Sequence, residues 1–443
     1  MRFRLTDIPA LFTTAAGRSQ LMTGLSYRLW PVTSRLAWAH RRTLARRTRV
    51  VAVVGSFGKS TTACVVSAAL SLPAHPKLLF NAWSWVALAV LRIRPSQRHA
   101  VIEVGIARPG QMKPYARVVR PDIAVVTSIG SEHNRSLETL EVTRAEKVAM
   151  VRALPPSGVA VLNGDDPNVM WMAGQTRARV VTFGFGAACD VRATDAALDW
   201  PHGSRFRVNA FGEEREGTTR LIGRPMLYPV LAAIAVAHVE RRALGPTLAA
   251  IASVPAVPGR LQPVALPNGV VILRDDYKSV LETMDAALDV LAAIPARRRI
   301  VLFGGITEPQ GNQGAVYRAI GKRVAGIAAH LIVVGGDLQR YRSGAKPAGM
   351  PPECIHDGGR NPQQAAAVLR RLLQPGDVVL IKGRDTQALD RVRLILQGGR
   401  VGCNISFCSV GQLNCATCPM LEPGWGTHRV IMEGRPGRRK RAC

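Results

Sequence analysis

The stretch VVAVVGSFGKSTTACVV, from Val50 to Val66, predicts a buried strand, a glycine-bracketed turn and an apolar helix in direct succession. Gly55 and Gly58 allow the backbone to fold tightly enough for successive N–H groups to point at one place. Because the positive end of the helix lies at the same place, the turn is suited to bind a phosphate. Lys59 supplies a mobile cation and Ser60 a hydroxyl for Mg²⁺. The stretch therefore predicts nucleoside triphosphate binding; the alternative is an ordinary strand-to-helix turn with a solvated lysine.

Length and composition indicate a globular protein of several domains. The chain has 443 residues, 47% of them hydrophobic and 20% charged, which corresponds to about three domains of roughly 150 residues each. No apolar run reaches the roughly 20 residues of a membrane span. The first residues carry Arg2, Arg4 and Asp7 without the continuous apolar segment and small-residue cleavage site of a secretory signal. We therefore expect a cytoplasmic protein, either free or bound peripherally at the inner membrane surface.

The net charge of +29 makes acidic partners plausible. Nucleotides, phosphorylated precursors and anionic lipid are all partners that such a charge would attract. The alternative explanation is that the base composition of the genome sets the arginine content. No zinc-finger, RNP or helix-turn-helix pattern accompanies the charge, so the sequence does not favour nucleic acid as a partner.

Residues 1–49 form a basic segment with interleaved apolar residues. The segment carries ten arginines and one acidic residue, Asp7. Two interpretations remain open: basic amphipathic helices that lie on an anionic membrane surface, and a helical layer that packs on the next domain with its charged face in water.

The remaining chain predicts an α/β fold in two parts. Residues 50–258 alternate strands with helices, as a doubly wound P-loop domain does, and residues 259–400 predict a Rossmann-like second domain. The prolines around residue 258 mark the boundary, and residues 401–443 form a cysteine-rich basic tail. The strands are predicted at Val50–Val54, Ala100–Val104, Ile123–Ser128, Val159–Leu162, Val180–Phe183, Val270–Leu273, Ile300–Phe303, Leu331–Val334 and Val378–Ile381.

Two further residues are expected beside the phosphate-binding turn. Glu103 closes the strand in VIEVG, so its carboxylate should reach the same sheet edge and hold Mg²⁺. His133 follows the strand in IAVVTSIG, where its imidazole could be a further metal ligand or orient the acceptor. Taken alone, a histidine in a loop is more commonly a solvated side chain.

The order of segments resembles the Mur ligase family, ATP-dependent amide-bond-forming enzymes of peptidoglycan assembly. The order is GSFGKST, EVG, PDIAVVTSIGSEH, AEK and VLNGDDP, followed by GRLQ, DDYKSVLETMDAAL, VLFGG and GDVVLIKGR. The resemblance covers about residues 50–395. It implies phosphoryl transfer from ATP to a substrate carboxylate and attack of an amine on the acyl phosphate.

The resemblance also implies roles for individual residues. Lys59, His133 and Lys147 would be catalytic, with Lys147 carbamylated so that it becomes a carboxylate-like metal ligand. Mg²⁺ would be held by Ser60, Glu103, His133 and the Lys147 carbamate. ATP would contact Gly55, Ser56, Gly58, Lys59, Ser60, Thr61, Arg260 and Asp275, the last two from the second domain. Without the resemblance, Lys147 is more simply a lysine on a helix surface.

Three departures from the family pattern concern the substrate. Only 49 residues precede the strand that leads into the phosphate-binding turn, where the wall ligases carry a domain that binds the UDP-sugar. Around Tyr277 the family pattern has asparagines and a proline, whereas this chain has Lys278. Arg224 and Tyr228 stand where the family usually has a histidine and an asparagine near the adenine base of ATP. We therefore expect a ligase for a non-standard acid, such as a capsule or peptide-metabolite precursor. The alternatives are a peptidoglycan-precursor ligase that adds D-alanyl-D-alanine, and a nucleotide-regulated binding protein without ligase activity.

The tail holds four cysteines within sixteen residues: Cys403, Cys408, Cys415 and Cys418. In a cytosolic protein such density favours a metal site over disulfides, and four thiolates suit either structural Zn²⁺ or an Fe–S cluster. A redox pair and thiols without a ligand are the alternatives.

Overall fold

The computed structural model describes residues 8–13, 15–73, 81–309, 311–408 and 415–418. These residues divide into two compact units. The first unit contains residues 29–257 with 308 and 309. The second contains residues 258–307 and 311–418 with the described part of 8–28.

Three helices precede the first strand: α1 (Ile8–Thr13), α2 (Ala15–Arg28) and α3 (Trp30–Arg42). Helix α3 belongs to the first unit. Its inner side buries Arg41, whose guanidinium bonds the Asp122 carboxylate at 2.8 Å and the carbonyl oxygens of Val119, Arg120 and Ala45. Of the two interpretations of residues 1–49, packing on the next domain therefore holds for this face of α3.

The first unit is built on an eight-stranded sheet of order β2-β1-β3-β4-β5-β6-β7-β8. Its strands are β1 (Arg49–Val54), β2 (His99–Glu103), β3 (Ile123–Val126), β4 (Val159–Asn163), β5 (Arg179–Gly184), β6 (Val191–Asp199), β7 (Gly203–Ala210) and β8 (Glu213–Thr219). Its helices after α3 are α4 (Lys59–Ala69), α5 (Ser84–Leu91), α6 (Met112–Val119), α7 (Asn134–Leu137), α8 (Leu140–Arg152), α9 (Pro167–Met170), α10 (Leu227–Val239) and α11 (Leu244–Ala252).

The parallel strands β1 to β5 are apolar on both sides because each side faces a layer of helices. One apolar core joins Val51 and Val53 of β1 to α4 and to α10. A second core, on the opposite side, joins Val50, Ala52 and Val54 to α5, α6 and α8. The predicted α/β class is thereby confirmed.

Beyond β5 the sheet departs from the predicted alternation. Strands β6, β7 and β8 form an antiparallel meander, of which only β6 pairs in parallel with β5. The sequence of β8, EEREGTT, has little β propensity and is largely exposed. The prediction missed this meander because its strands lack the continuous apolar runs of the strands before them.

The second unit contains a six-stranded sheet of order β13-β12-β11-β14-β10-β9. Its strands are β9 (Gln262–Ala265), β10 (Val271–Asp275), β11 (Arg298–Phe303), β12 (His330–Val333), β13 (Ile355–Asp357) and β14 (Asp377–Lys382). Its helices after α2 are α12 (Leu281–Ala293), α13 (Gln313–Ala325), α14 (Leu338–Ala345), α15 (Pro362–Leu372) and α16 (Asp390–Leu396). All pairs are parallel except β10 with β9, so the Rossmann-like prediction is confirmed.

In each unit the carboxyl ends of the parallel strands lie along one sheet edge, where ligands of open α/β sheets bind. Strands β1, β2 and β3 end at Val54, Glu103 and Val126. No helix among the described residues is both long enough and apolar enough to span a membrane.

Candidate active site

The turn after β1 is held open by two glycines. Gly55 has φ +146° and Gly58 has φ +81°, and Gly58 caps the start of α4. A Cβ on Gly55 would lie 2.0 Å from the Thr127 hydroxyl oxygen and 3.0 Å from the Ser128 nitrogen. Only glycine therefore lets this turn, which we call the phosphate loop (residues 55–61), lie so close to the chain that follows β3.

Lys59 folds back across the phosphate loop. Its Nζ donates to the carbonyl oxygens of Gly55 and Ser56, both at 2.9 Å, and to Glu132 Oε2 at 3.4 Å. The side chain is buried. The ammonium group thus lies at the loop itself, where the sequence predicted a cation.

The chain after β3 forms a second wall of the loop. Strand β3 ends at Val126, two residues before the predicted end at Ser128. Ser56 N donates to the Ser128 carbonyl oxygen at 2.9 Å, and Phe57 N donates to Ser128 Oγ at 3.1 Å. Gly130 N donates to Ser56 Oγ at 2.8 Å. These bonds fix the loop from outside and leave the start of α4 to face the sheet edge.

Lys147 reaches the same serine from α8. Its Nζ donates to Ser56 Oγ at 2.8 Å, and the side chain is 3% exposed. The residue is therefore not a helix-surface lysine, which was the simpler interpretation of the sequence alone. Its position follows from the fold of α8, whose start is capped by Thr139 and whose Glu146 accepts from Gly110 N and Met112 N at 2.9 Å each.

Glu103 is the last residue of β2 and lies beside Val53 of β1 in the sheet register. Its Oε1 accepts a hydrogen bond from Asn81 Nδ2 at 2.6 Å. The carboxylate is thus placed one strand away from the phosphate loop. The sequence predicted this position but did not identify Asn81 as its partner.

A residue that the sequence reasoning missed, Glu132, joins two predicted ones. Its carboxylate lies 3.4 Å from Lys59 Nζ and 3.3 Å from His133 Nε2. Glu132 is mostly buried, whereas the His133 side chain is 41% exposed. His133 itself has φ +60°, in the left-handed region that is costly for residues other than glycine. The available signal was the Glu-His pair directly after a strand.

The start of α4 carries hydroxyl groups next to Lys59. Ser60 is half-buried, and Thr61 and Thr62 are buried. Within the described residues, the hydroxyls of Thr61 and Thr62 have no hydrogen-bond partner. Buried polar atoms normally find one, so these hydroxyls together with the first N–H groups of α4 fit an oxygen-rich, anionic ligand.

Arg224 and Tyr228, which the sequence placed near the adenine base, belong to a separate cluster in the first unit. Tyr228 Oη donates to Asp165 Oδ2 at 2.9 Å, and the Arg224 guanidinium stacks on the Phe185 ring at 3.9 Å. Burial raises the pKa of Tyr228 well above its usual value, and the nearby Asp165 carboxylate raises it further. Asp165 also accepts from the backbone N–H of Phe185 and Gly186. The cluster therefore holds the β5 end against α10.

In the second unit, Asp275 ends β10 and is buried. Its carboxylate accepts from Lys382 Nζ at 2.5 Å and from Leu261 N at 3.2 Å. Burial lowers the pKa of Lys382, an effect that the Asp275 carboxylate opposes. Sequence reasoning quoted the segment that contains Lys382 but assigned this lysine no role. The Arg260 guanidinium stacks on the Tyr277 ring at 4.7 Å.

A second acidic residue of this unit, Asp385, lies among cations. Burial raises its pKa, while a backbone N–H and the charges of Lys278, Arg384 and Arg260 lower it. The Arg384 Nε is buried and has no hydrogen-bond partner within the described residues. The carboxyl edge of the second sheet therefore carries charges of both signs, with Asp275 paired to Lys382 and Asp385 surrounded by three cations.

The tail cysteines do not assemble into a metal site. Across the described residues, no group of three or more His, Cys, Asp or Glu side chains could hold a metal ion. Cys403 Sγ instead accepts from Arg391 Nη1 at 3.1 Å, and Cys408 N donates to the Thr386 carbonyl oxygen. Burial raises the pKa of the Cys415 thiol, which disfavours the thiolate that binds metal. The zinc or iron–sulfur site predicted for Cys403, Cys408, Cys415 and Cys418 thus has no support.

The structure therefore brings Lys59, Ser56 and Lys147 into direct contact. Glu132 links Lys59 to His133, and Glu103 lies on the neighbouring strand. Arg260 and Asp275 lie in the second unit, where the Asp275 carboxylate pairs with Lys382.

Comparisons with known proteins agree with this arrangement. Residues 53–237 match the Mur ligase middle domain, and residues 259–384 match the Mur ligase glutamate ligase domain. A UDP-N-acetylmuramoyl-tripeptide–D-alanyl-D-alanine ligase of Mycobacterium tuberculosis (strain H37Rv) is 29% identical over 365 residues, 77% of this chain and 72% of that protein. The Synechocystis protein of the same name is 26% identical over 363 residues, 80% of this chain and 75% of that protein.

Solved structures share the fold. MurF from Acinetobacter baumannii has a TM-score of 0.74 at 21% identity, covering 83% of this chain and 80% of that one. MurF from Thermotoga maritima, in complex with ADP, has a TM-score of 0.72 at 21% identity, covering 83% of each chain. Since both domain models match in sequence order around the phosphate loop and the second sheet, the protein belongs to the Mur ligase family of ATP-dependent, amide-bond-forming enzymes.

Proposed function

We propose that the chain joins the carboxylate of a small-molecule acid to an amine through an acyl phosphate made from ATP. The observation that carries this proposal is the contact of two lysines, Lys59 and Lys147, with one serine of the phosphate loop. Lys59 supplies a cation at the phosphate-binding turn, and Lys147, once carbamylated, supplies a carboxylate-like ligand for Mg²⁺ at the same place. Both suit the transfer of a phosphoryl group, because the charge on its oxygens must be stabilised throughout.

The nucleotide phosphates are proposed to bind at residues 55–61. The first N–H groups of α4 and its positive dipole end favour an anion at this place. Lys59 already lies there, bonded to two loop carbonyl oxygens.

The donor set beside the loop fits Mg²⁺, which prefers oxygen ligands and binds through one or two carboxylates, water and phosphate. Ser60 and Glu103 are proposed to hold it, with His133 and a carbamylated Lys147 as further ligands. The ion would neutralise charge on the phosphate oxygens. The unpartnered hydroxyls of Thr61 and Thr62 are consistent with an oxygen-rich ligand at the same helix start.

The reaction then needs two displacements. A carboxylate oxygen of the acid attacks the γ-phosphorus, the bond to the bridging oxygen breaks, and ADP leaves. The amine nitrogen attacks the acyl carbon, and the tetrahedral intermediate expels phosphate as the amine loses a proton. Lys59 stabilises the transferred phosphoryl group in the first step. Glu132 positions Lys59 and His133 through its two contacts.

The acid is proposed to be one outside the muramoyl precursors. Support comes from Lys278, which lies with Arg260 and Arg384 around Asp385, since a lysine at this place suits a substrate with an additional carboxylate or phosphate. The second candidate is D-alanyl-D-alanine addition to UDP-N-acetylmuramoyl-tripeptide, which the names of relatives at 26–29% identity favour.

ADP release that depends on the amine tests the proposal. The purified chain is given ATP, Mg²⁺ and pairs from a panel of acids and amines that includes UDP-N-acetylmuramoyl-tripeptide with D-alanyl-D-alanine. We expect one pair to accelerate ADP release and to yield an amide detectable by mass spectrometry. Turnover of the muramoyl pair alone would select the second candidate, and equal slow release with every pair would contradict ligase activity.

Lys147→Ala gives the same assay a residue-specific readout. Loss of a group that acts on the transferred phosphoryl should lower kcat by about a hundredfold, and formate or acetate should restore part of it if a carbamate is the active form. Lys322→Ala, an exposed lysine of α13, is the matched control. Full activity of Lys147→Ala would remove this lysine from the mechanism.

A further inference from the structure

The outward face of α3 carries an apolar stripe that the fold leaves in solvent. Leu29, Val32 and Leu36 are 47%, 57% and 56% exposed. Their spacing of three and four residues places them on one side of the helix. Large apolar side chains aligned in this way differ from the scattered ones that every protein surface has.

The inner face of α3 fixes the direction in which this stripe points. Ala37 and Arg41 are buried, and Arg41 bonds Asp122 of the same unit. Thr33 Oγ1 lies 2.9 Å from Ser84 Oγ of α5, and His40 Nε2 lies 2.9 Å from the Ile93 carbonyl oxygen. Rotation of the helix to bury the stripe would break these bonds, so the stripe faces outward as part of the folded unit.

Arginines flank the stripe. Arg35 is exposed, and Arg42 lies near the exposed Arg117 and Arg120 of the α6 end. Partial burial lowers the pKa of Arg42, and the positive charges of Arg120 and Arg117 lower it further. No acidic residue occurs between Asp7 and Glu103 in the sequence, so this part of the chain contributes only positive charges to the surface.

An aromatic residue lies at the other margin of the exposed surface of α3, about 160° around the helix from Leu36. Trp38 is 43% exposed, and the Arg42 guanidinium stacks on its ring at 4.2 Å. An apolar stripe bordered by arginine is the composition of helices that lie in the headgroup region of a bilayer. Nucleic acid would use the arginines but not Leu29, Val32 and Leu36. Arginine and tryptophan are also common in protein interfaces, but the run of positive charge without an acidic residue between Asp7 and Glu103 favours an anionic lipid surface.

We propose that the outward face of α3, formed by Leu29, Val32, Arg35 and Leu36, is a docking surface for an anionic lipid membrane. The helix has 13 residues, too few to cross a bilayer, so it lies parallel to the surface. The apolar side chains enter the acyl boundary while the arginines contact lipid phosphates. The docking needs no change in the first unit, because the face is already exposed.

Co-sedimentation of the full chain with vesicles tests the docking surface. The probes are vesicles of phosphatidylcholine alone and of phosphatidylcholine with a third of phosphatidylglycerol. We expect binding to the second kind only, weakened at about 1 M salt, where charges are screened within about 3 Å. Arg35→Gln should weaken the partition by about fivefold and Leu36→Ser by about tenfold.

Matched controls separate the face from net charge and general hydrophobicity. Arg205→Gln and Val142→Ser change an exposed arginine and an exposed valine elsewhere in the same unit and should leave partition unchanged. Unchanged unfolding temperatures for all four variants show that the fold is retained. Equal binding to both vesicle types, or equal losses in the controls, would overturn the proposal. So would tighter binding of a duplex oligonucleotide than of vesicles, or concentration-dependent dimers that Leu36→Ser dissolves.

Discussion

Glu132 is the side chain near the phosphate loop whose contacts invite the most direct test. Its carboxylate lies between Lys59 and His133, and bound triphosphate would add negative charge at the same loop. Glu132→Gln keeps the shape and removes the charge. We expect the dissociation constant for ATP without Mg²⁺ to fall by about fivefold, because a pair of charges about 4 Å apart is worth on the order of 1 kcal/mol.

The same variant should lower kcat, since Lys59 and His133 lose the group that positions them. Calorimetric titration with ATP, repeated with and without Mg²⁺, provides the measurement. Glu138→Gln, a nearby exposed carboxylate, is the control. Weaker binding confined to the titration with Mg²⁺ would instead identify Glu132 as a metal ligand.

Asp276 makes stability depend on pH. Burial raises the pKa of Asp276 to about 6, an effect that Arg274 opposes and Asp390 reinforces. The unfolded chain loses the proton near pH 4 and the folded chain only near pH 6. The contribution of Asp276 to stability therefore falls as pH rises between these values, by about 3 kcal/mol, and is constant above them.

Asp276→Asn should remove this slope. The unfolding temperature of the variant relative to the natural chain is expected to rise between about pH 4 and pH 7. The comparison uses differential scanning calorimetry of both chains in the same buffers, with Asp289→Asn, an exposed carboxylate on α12, as the control. A constant difference across this range would mean that Asp276 is ionised in the folded chain at pH 4.

Among the elements, the phosphate loop tolerates the least change. Gly55→Ala would place a methyl group 2.0 Å from the Thr127 hydroxyl oxygen, so either the loop or the chain after β3 must move. We expect a loss of about 2 kcal/mol in stability and at least tenfold weaker nucleotide binding. Chemical denaturation and nucleotide titration give the two quantities. Gly174→Ala, where no atom lies within 4 Å of the new Cβ, should change neither, and an equal effect at both glycines would refute the steric argument.

The sequence predicted the elements that are apolar on both sides and missed those that are not. Strand β1 lies where Val50–Val54 indicated it, because a strand covered by helices on both sides is apolar at every position and valine favours a strand. Strand β8 was missed because most of its residues are charged or polar and exposed, so that its strand conformation depends on pairing with β7 rather than on an apolar pattern. The Lys59 position was predictable from local spacing, whereas the contact of Lys147 with Ser56 depends on how α8 packs.

The cysteine tail shows the opposite error. Close spacing along the chain was interpreted as closeness of four thiols in space. In the structure Cys403 contacts Arg391 and Cys408 bonds the Thr386 backbone. Spacing predicts a metal site only where the backbone folds each thiol toward one point, and among the described residues no such group of metal ligands forms.

For the chain as a whole, nucleotide binding should appear as added stability. A ligand that binds only the folded state at about a hundred times its dissociation constant contributes about 2.7 kcal/mol. With a non-hydrolysable ATP analogue and Mg²⁺, we expect the unfolding transition of the first unit to move to higher temperature in differential scanning calorimetry. Lys59→Met should abolish the shift and Lys322→Met should not. A shift that survives Lys59→Met would place the nucleotide elsewhere.

The bond between Arg41 and Asp122 has a practical consequence for work with shortened forms of the protein. Asp122 Oδ2 also accepts from Val50 N at 2.8 Å, so one carboxylate fastens both α3 and the first strand. Cutting the chain at residue 49 would remove the Arg41 guanidinium. The Asp122 carboxylate beside the start of β1 would then lose its ion-pair partner. A truncation intended to keep the first unit intact should therefore start no later than Leu29. Poor expression of shorter versions would reflect the loss of the Arg41–Asp122 ion pair.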